Sequence, residues 1–125
     1  MTAYLWVGLG GFFGSIARYA IAIWLPPAAS GRFPLATFAV NCIGCLLIGV
    51  LAGALSRSPA TESARLFLVT GILGGFTTFS AFGLESIHLL RRGEFGLALL
   101  YILGSVLVGI AAVWLGLRLA PGAQA

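Results

Sequence analysis

The segment Gly74–Phe82, GGFTTFSAF, lies inside a long apolar run and has the composition of a poor helix. Adjacent glycines and adjacent threonines both disfavour regular helical backbone. A bilayer core holds no water for loose backbone groups, so irregular backbone at that depth must be buried in protein or line a cavity. The segment therefore predicts a transmembrane helix that is broken near its centre.

The composition indicates an integral membrane protein. Of the 125 residues, 60% are hydrophobic and 8% are charged, whereas a soluble domain has about a quarter charged residues. The first apolar stretch, MTAYLWVGLGG, lacks the basic region that opens a signal peptide. We therefore expect it to be a retained span.

Four stretches are long enough to cross a membrane, which takes about 20 apolar residues in a helix. They cover about residues 3–25, 33–55, 64–90 and 95–119, and prolines, glycines and arginines separate them. The intervening loops are too short for a soluble domain. We predict one domain over residues 1–125, an all-α membrane protein of four transmembrane helices with the third helix broken.

The arginines are balanced across the membrane. With four spans, three arginines flank each side: Arg57, Arg65 and Arg118 on one, and Arg32, Arg91 and Arg92 on the other. An excess of Lys and Arg in cytoplasmic loops normally sets orientation. The balance favours insertion in both directions and an antiparallel homodimer, unless other signals fix the orientation. Because the arginines are dispersed, no nucleic-acid partner is expected.

Small residues predict a tightly packed bundle. The pairs Gly10 and Gly14, Gly49 and Gly53, and Gly71 and Gly75 have the four-residue spacing that lets helices approach closely. Cys42 and Cys45 lie within the second span, and we expect them to act as small buried side chains rather than metal ligands.

Polar side chains inside the spans are functional candidates because they are costly in lipid. In the second span, Thr37 and Asn41 share one helical face, and in the fourth span Tyr101 and Ser105 do the same. Asn41 either lines a pathway or forms an interhelical hydrogen bond. Tyr101 and Ser105 either form a polar track or bond within the bundle.

Two charged side chains also fall within spans. Glu85 either lines a water-filled vestibule or serves proton-coupled transport. Arg18 either extends toward the first loop or pairs with a carboxylate such as Glu85, so we expect an electrostatic or structural role for it.

The broken segment itself offers two kinds of ligand. Carbonyls released at a break can coordinate a cation, although Thr and Ser hydroxyls can also absorb a simple kink. Phe79 and Phe82 share one side of the following helix, and the positive edges of their rings can face an anion or pack in a core. Ser80 adds a hydroxyl donor beside them.

The chain contains no Ser/His/Asp arrangement, carboxylate pair, metal-ligand cluster or phosphate loop. We therefore expect transport or a structural role, and no enzymatic activity.

Three stretches resemble the signatures of the Fluc (CrcB) fluoride channels. They are GGFFGSIARY (10–19), FPLATFAVNCIGCLLIG (33–49) and GILGGFTTFSAFGLES (71–86). The resemblance implies an antiparallel, dual-topology homodimer in the inner (plasma) membrane that exports fluoride passively from the cytoplasm through two pores and so confers fluoride resistance.

The resemblance also assigns roles to residues. It implies one structural Na⁺ per dimer, held by the backbone carbonyls of Gly74 and Thr77. The fluoride pathway would comprise the matching positions together with the neighbouring hydroxyls: Asn41, Phe79, Phe82, Ser80, Tyr101, Ser105, Thr37 and Glu85. Some relatives have a second track hydroxyl one turn after Ser105, where this chain has Gly109.

The main alternative is a small proton-coupled multidrug or cation exporter with four spans. Such exporters resemble this chain in size, but they rely on a glutamate in the first span. The first span here has no acidic residue.

Overall fold

In a computed structural model, which describes residues 1–26, 32–57 and 62–121, the chain is all-helical. Within these residues, four helices are long and apolar enough to cross a membrane, as predicted. They are α1 (Thr2–Trp24), α2 (Leu35–Leu55), α3 (Glu62–Arg91) and α4 (Phe95–Leu119).

Prolines set two of the helix ends. A residue that precedes proline is pushed out of the α conformation. Leu25, which precedes Pro26, is extended with ψ 154°, so α1 ends at Trp24. Phe33 precedes Pro34, the N-cap residue of α2, so that helix begins at Leu35 rather than at the predicted residue 33.

Helix α3 is interrupted near its middle. It contains a π-helical stretch, Leu66–Leu73, followed by a short α-helical piece, Gly74–Phe76. Thr77 (ψ 157°) and Thr78 (φ −150°, ψ 112°) are then extended, and the α-helix resumes over Phe79–Arg91. The irregular backbone thus lies within the segment whose composition predicted a break.

Glycine allows α1 to pack directly on the backbone of the first half of α3. Gly10 and Gly71 are both buried, and a methyl group added to Gly10 would lie 2.8 Å from the Gly71 Cα atom. Gly14 is similarly placed against the carbonyl group of Ile72. No side chain fits at these positions unless the helices separate.

Helices α2 and α4 form the other closely packed pair. A methyl group added to Gly49 would lie 3.0 Å from the Gly116 Cα atom. The second half of α3 packs on α4 through a small core of Leu89, Ala98 and Tyr101. The bundle therefore brings the second half of α3 next to both α2 and α4.

Large apolar side chains cover the outside of all four helices. For example, Ile23 is 59% exposed, Leu107 is 66% exposed and Leu119 is 62% exposed. Such continuous apolar exposure suits hydrocarbon rather than water.

Candidate functional site

The broken region of α3 borders a cleft of about 500 Å³ between α2, α3 and α4. Its walls are mostly apolar, and none of the described residues that line it carries a charge. The polar residues in the lining are Asn41, Cys45, Thr77, Thr78 and Ser105. Six predicted site residues therefore line the cleft: Asn41, Gly74, Thr77, Phe79, Phe82 and Ser105.

Asn41 binds the backbone at the break. Its Nδ2 donates to the Thr78 carbonyl at 3.1 Å, and its Oδ1 accepts from the Thr78 N–H at 2.8 Å. One amide side chain thus satisfies both polar groups of an extended residue, as a neighbouring strand would. Nδ2 carries a second N–H, which makes no hydrogen bond to the described residues.

Each of the two carbonyls predicted as Na⁺ ligands lacks the N–H donor that a continuous helix would give it, because that N–H binds another acceptor. In a continuous helix, Gly74 would accept from Thr78 N–H, which instead binds Asn41. Thr77 would accept from Ala81 N–H, which instead binds the Thr78 hydroxyl at 3.2 Å. Hard cations prefer oxygen ligands of this kind, so the two released carbonyls fit a Na⁺ ion chemically.

Arg18 also contacts the backbone near the break. Its Nε donates to the Gly75 carbonyl at 3.0 Å, a bond between α1 and α3. The ion pair with Glu85 that the sequence left open is not formed: Arg18 binds Gly75, and Glu85 accepts from two hydroxyl groups. Arg18 therefore satisfies a carbonyl adjacent to Gly74.

Glu85 links three helices through its two oxygens. The Thr37 hydroxyl donates to Oε1 at 2.5 Å, and the Tyr101 hydroxyl donates to Oε2 at 3.3 Å. A smaller cavity of about 200 Å³ borders Thr37 and Glu85 on the side of the first loop. The hydroxyls of Thr37 and Tyr101, two residues of the predicted pathway, thus already donate to a carboxylate.

A row of aromatic rings connects the break with Glu85. Phe79 is 84% exposed, and its ring centroid lies 5.6 Å from that of Phe82 with 41° between the planes. The ring centroid of Phe82 lies 5.2 Å from that of Tyr101, which is fully buried. The Phe33 ring packs edge-on against Tyr101, with 5.3 Å between the ring centroids. The row joins the cleft to the carboxylate without a charged side chain in between.

The two predicted serines differ in their surroundings. The Ser105 oxygen is buried and has no hydrogen-bond partner, a costly state for a polar atom. Ser80 is exposed, and its hydroxyl lies 3.2 Å from the Thr78 hydroxyl, outside the cleft lining. Of the two, only Ser105 offers a buried, unpaired donor.

Thr78 is a site residue that we did not predict. It caps the second half of α3, its carbonyl accepts from Asn41 Nδ2 and its N–H donates to Asn41 Oδ1. A threonine at the N-cap accepts a hydrogen bond from the backbone N–H two or three residues later, as the Thr78 hydroxyl does from Ala81. That signal identifies Thr78, rather than Gly74 or Gly75, as the start of the new helix.

Four apolar helices in the described part of the chain, the third of them broken, define a multi-pass membrane protein. A family model described as "CrcB-like protein, Camphor Resistance (CrcB)" matches residues 5–117. The chain belongs to the CrcB family, which confirms the resemblance of its three signature stretches.

Similar proteins carry a more specific name. A protein of Novosphingobium aromaticivorans named "Fluoride-specific ion channel FluC" is 50% identical over 127 residues, 98% of each chain. One of Methylobacillus flagellatus with the same name is 49% identical over 95% of this chain and 94% of its own. One of Thermus thermophilus, also so named, is 44% identical over 93% of this chain and 91% of its own.

Proposed function

We propose that this protein is a fluoride-specific channel that exports cytoplasmic fluoride passively across the inner (plasma) membrane. The observation that carries the proposal is about 50% identity, over nearly the whole chain, to relatives named for fluoride-specific conduction. The relatives' names are those of ion channels, and no energy-coupled step is needed. A negative-inside membrane potential drives the anion outward.

The uncharged cleft supports anion conduction. A channel must bind its ion enough to replace water but weakly enough to release it, which argues against a full positive charge. The Ser105 hydroxyl and the second N–H of Asn41 are donors without protein acceptors. Together with the ring edges of Phe79 and Phe82, they would bind fluoride in passing.

Thr37, Tyr101 and Glu85 would form one end of the pathway, and Ser80 would lie beside the break. Because Thr37 and Tyr101 donate to Glu85, they would reach an anion only when a hydroxyl leaves the carboxylate. We therefore place the main fluoride contacts at Ser105, Asn41 and the phenylalanine pair.

The working form would be an antiparallel homodimer of dual topology. Gly74, Phe79 and Ser80 are exposed on one chain although they surround the irregular backbone. Lipid does not satisfy such backbone, so a second copy would cover this face at the depth of the break, near mid-membrane. The balanced arginines support insertion in both orientations.

A structural Na⁺ would join the two copies. Gly74 and Thr77 of each chain would contribute their backbone carbonyls, and Arg18 would hold the adjacent Gly75 carbonyl. The ion would supply positive charge to four carbonyl dipoles at the dimer axis. Purification and reconstitution with N-methylglucamine in place of Na⁺ should lower the dimer fraction and the flux, and unchanged values would contradict the site.

Reconstituted liposomes test the function. With a fluoride gradient and a potassium ionophore to clamp the voltage, we expect rapid electrogenic efflux of fluoride and none of chloride. Movement of protons in fixed ratio to substrate would instead support the small-exporter alternative. Protein-free liposomes and liposomes loaded with chloride are the controls.

A further inference from the structure

Cys45 lies on the same face of α2 as Thr37 and Asn41, because the three residues are four apart. Its side chain belongs to the cleft lining, next to Ser105 and Gly109 of α4. Cys42, in the same CIGC sequence, lies outside that lining. The two cysteines are therefore matched in sequence context but differ in their relation to the cleft.

Gly109 faces Cys45 directly. A methyl group added to Gly109 would lie 3.4 Å from the Cys45 sulfur atom, an ordinary contact distance. The thiol thus borders the space that a side chain at position 109 would enter. One helical turn before Gly109 on α4, the buried Ser105 oxygen has no hydrogen-bond partner. Two turns before Gly109, the Tyr101 hydroxyl donates to Glu85.

A thiol has a weak S–H donor and a weak acceptor sulfur. With leucine or valine at position 45, α2 would supply no polar side chain to the cleft beyond Asn41, since its next lining residue is Ile48. Cys45 is the polar group that α2 supplies to the cleft one turn beyond Asn41.

We propose that Cys45 is a permeation-path residue that continues the polar lining past Ser105, where Gly109 provides no hydroxyl. This inference rests on the proposed function. The ligand is a small anion, which accepts a hydrogen bond from the Cys45 S–H as it passes between Ser105 and the end of the cleft. Mercuric ion, which binds thiols, serves as a probe of the same position.

Fluoride flux should follow the polarity of the side chain at position 45. A weak hydrogen bond corresponds to about a two- to tenfold change in rate, so Cys45→Ala and the volume-matched Cys45→Val should lower flux by about that factor. Cys45→Ser should retain it, and Gly109→Ser should restore it in the Cys45→Ala background. Cys42→Ala is the matched control and should conduct as wild type.

Mercuric ion gives a second readout. It should block wild type and Cys42→Ala, which keep Cys45, and leave Cys45→Ala unaffected. Size-exclusion profiles of every variant establish folding before flux is compared.

Equal flux in Cys45→Val and wild type, or mercury block that survives in Cys45→Ala, would overturn the inference while leaving the proposed function intact. Absence of fluoride flux from folded wild type would instead remove the proposed function, and this inference with it.

Discussion

Asn41 shows how one side chain stabilises the irregular backbone of α3. Its Oδ1 accepts from the Thr78 N–H, which has no acceptor within the helix, and its Nδ2 donates to the Thr78 carbonyl. An unsatisfied buried polar group costs about 1–3 kcal/mol. At the residue scale, the asparagine is therefore a structural support as well as a candidate anion donor.

Asn41→Ala should destabilise the protein by about 1–3 kcal/mol, because the Thr78 N–H loses its acceptor. Thermal unfolding in detergent, followed by size exclusion, measures the loss. Ser56→Ala removes an exposed bond to Gly53 at the end of α2 and serves as the control, with a change within about 0.5 kcal/mol. Equal stability of the two variants would mean that the Thr78 groups find other partners.

Phe79→Ile should abolish fluoride flux and leave the folded protein intact. The ring is 84% exposed on the chain, so its removal takes little packing from the protomer, but isoleucine has no positive ring edge. Liposome flux and size exclusion together measure the two effects. Phe95→Ile, at a side chain that is 66% exposed at the start of α4, is the control and should conduct normally.

At the scale of the elements, glycine contacts hold α1 on the first half of α3. The bond from Arg18 to Gly75 lies on the same interface. The glycines of α1 therefore position the first half of α3 before the break, and Asn41 of α2 holds Thr78 at the break itself. The bonds from Arg18 and Asn41 thus both reach the segment that contains the Gly74 and Thr77 carbonyls.

Gly10→Val should destabilise the protein by about 1–3 kcal/mol, as overpacking does, because its side chain would meet Gly71 and Phe67 backbone atoms. Gly8→Val, in the same helix but with nothing within 4 Å of an added methyl group, should change stability little. Unfolding in detergent at increasing temperature compares them. A similar loss in both variants would show that helix propensity, not packing, decides the result.

At the scale of the whole molecule, the chain has an apolar exterior and an interrupted helix exposed on one side. Its arginine balance is a property of the entire sequence rather than of one loop. The proposed dual topology rests on these two features together, so its test changes the arginine balance of the whole chain.

Removing two exposed arginines from one side should bias insertion. Arg91→Gln with Arg92→Gln leaves the opposite side richer in charge, and Arg57→Gln with Arg65→Gln does the reverse. Each double variant alone should lose flux, and co-expression of the two should recover it. Fluoride efflux from reconstituted membranes gives the measurement, and full flux from either variant by itself would contradict the antiparallel dimer.

The sequence by itself determined the four membrane helices, because apolar length and flanking prolines act locally and need no tertiary partner. It also determined the family and the segment in which α3 breaks. It left open whether Arg18 meets Glu85, whether Asn41 lines a path or bonds a helix, and where within the segment the new helix starts.

Only the tertiary structure decided those partners. Asn41 and Thr78 are 37 residues apart, Thr37 and Glu85 are 48 apart, and Arg18 and Gly75 are 57 apart. Helical spacing shows which side chains share a face of one helix, but not which backbone group of another helix they reach. That choice depends on the relative height and rotation of packed helices, which here are determined by close backbone contacts at glycine.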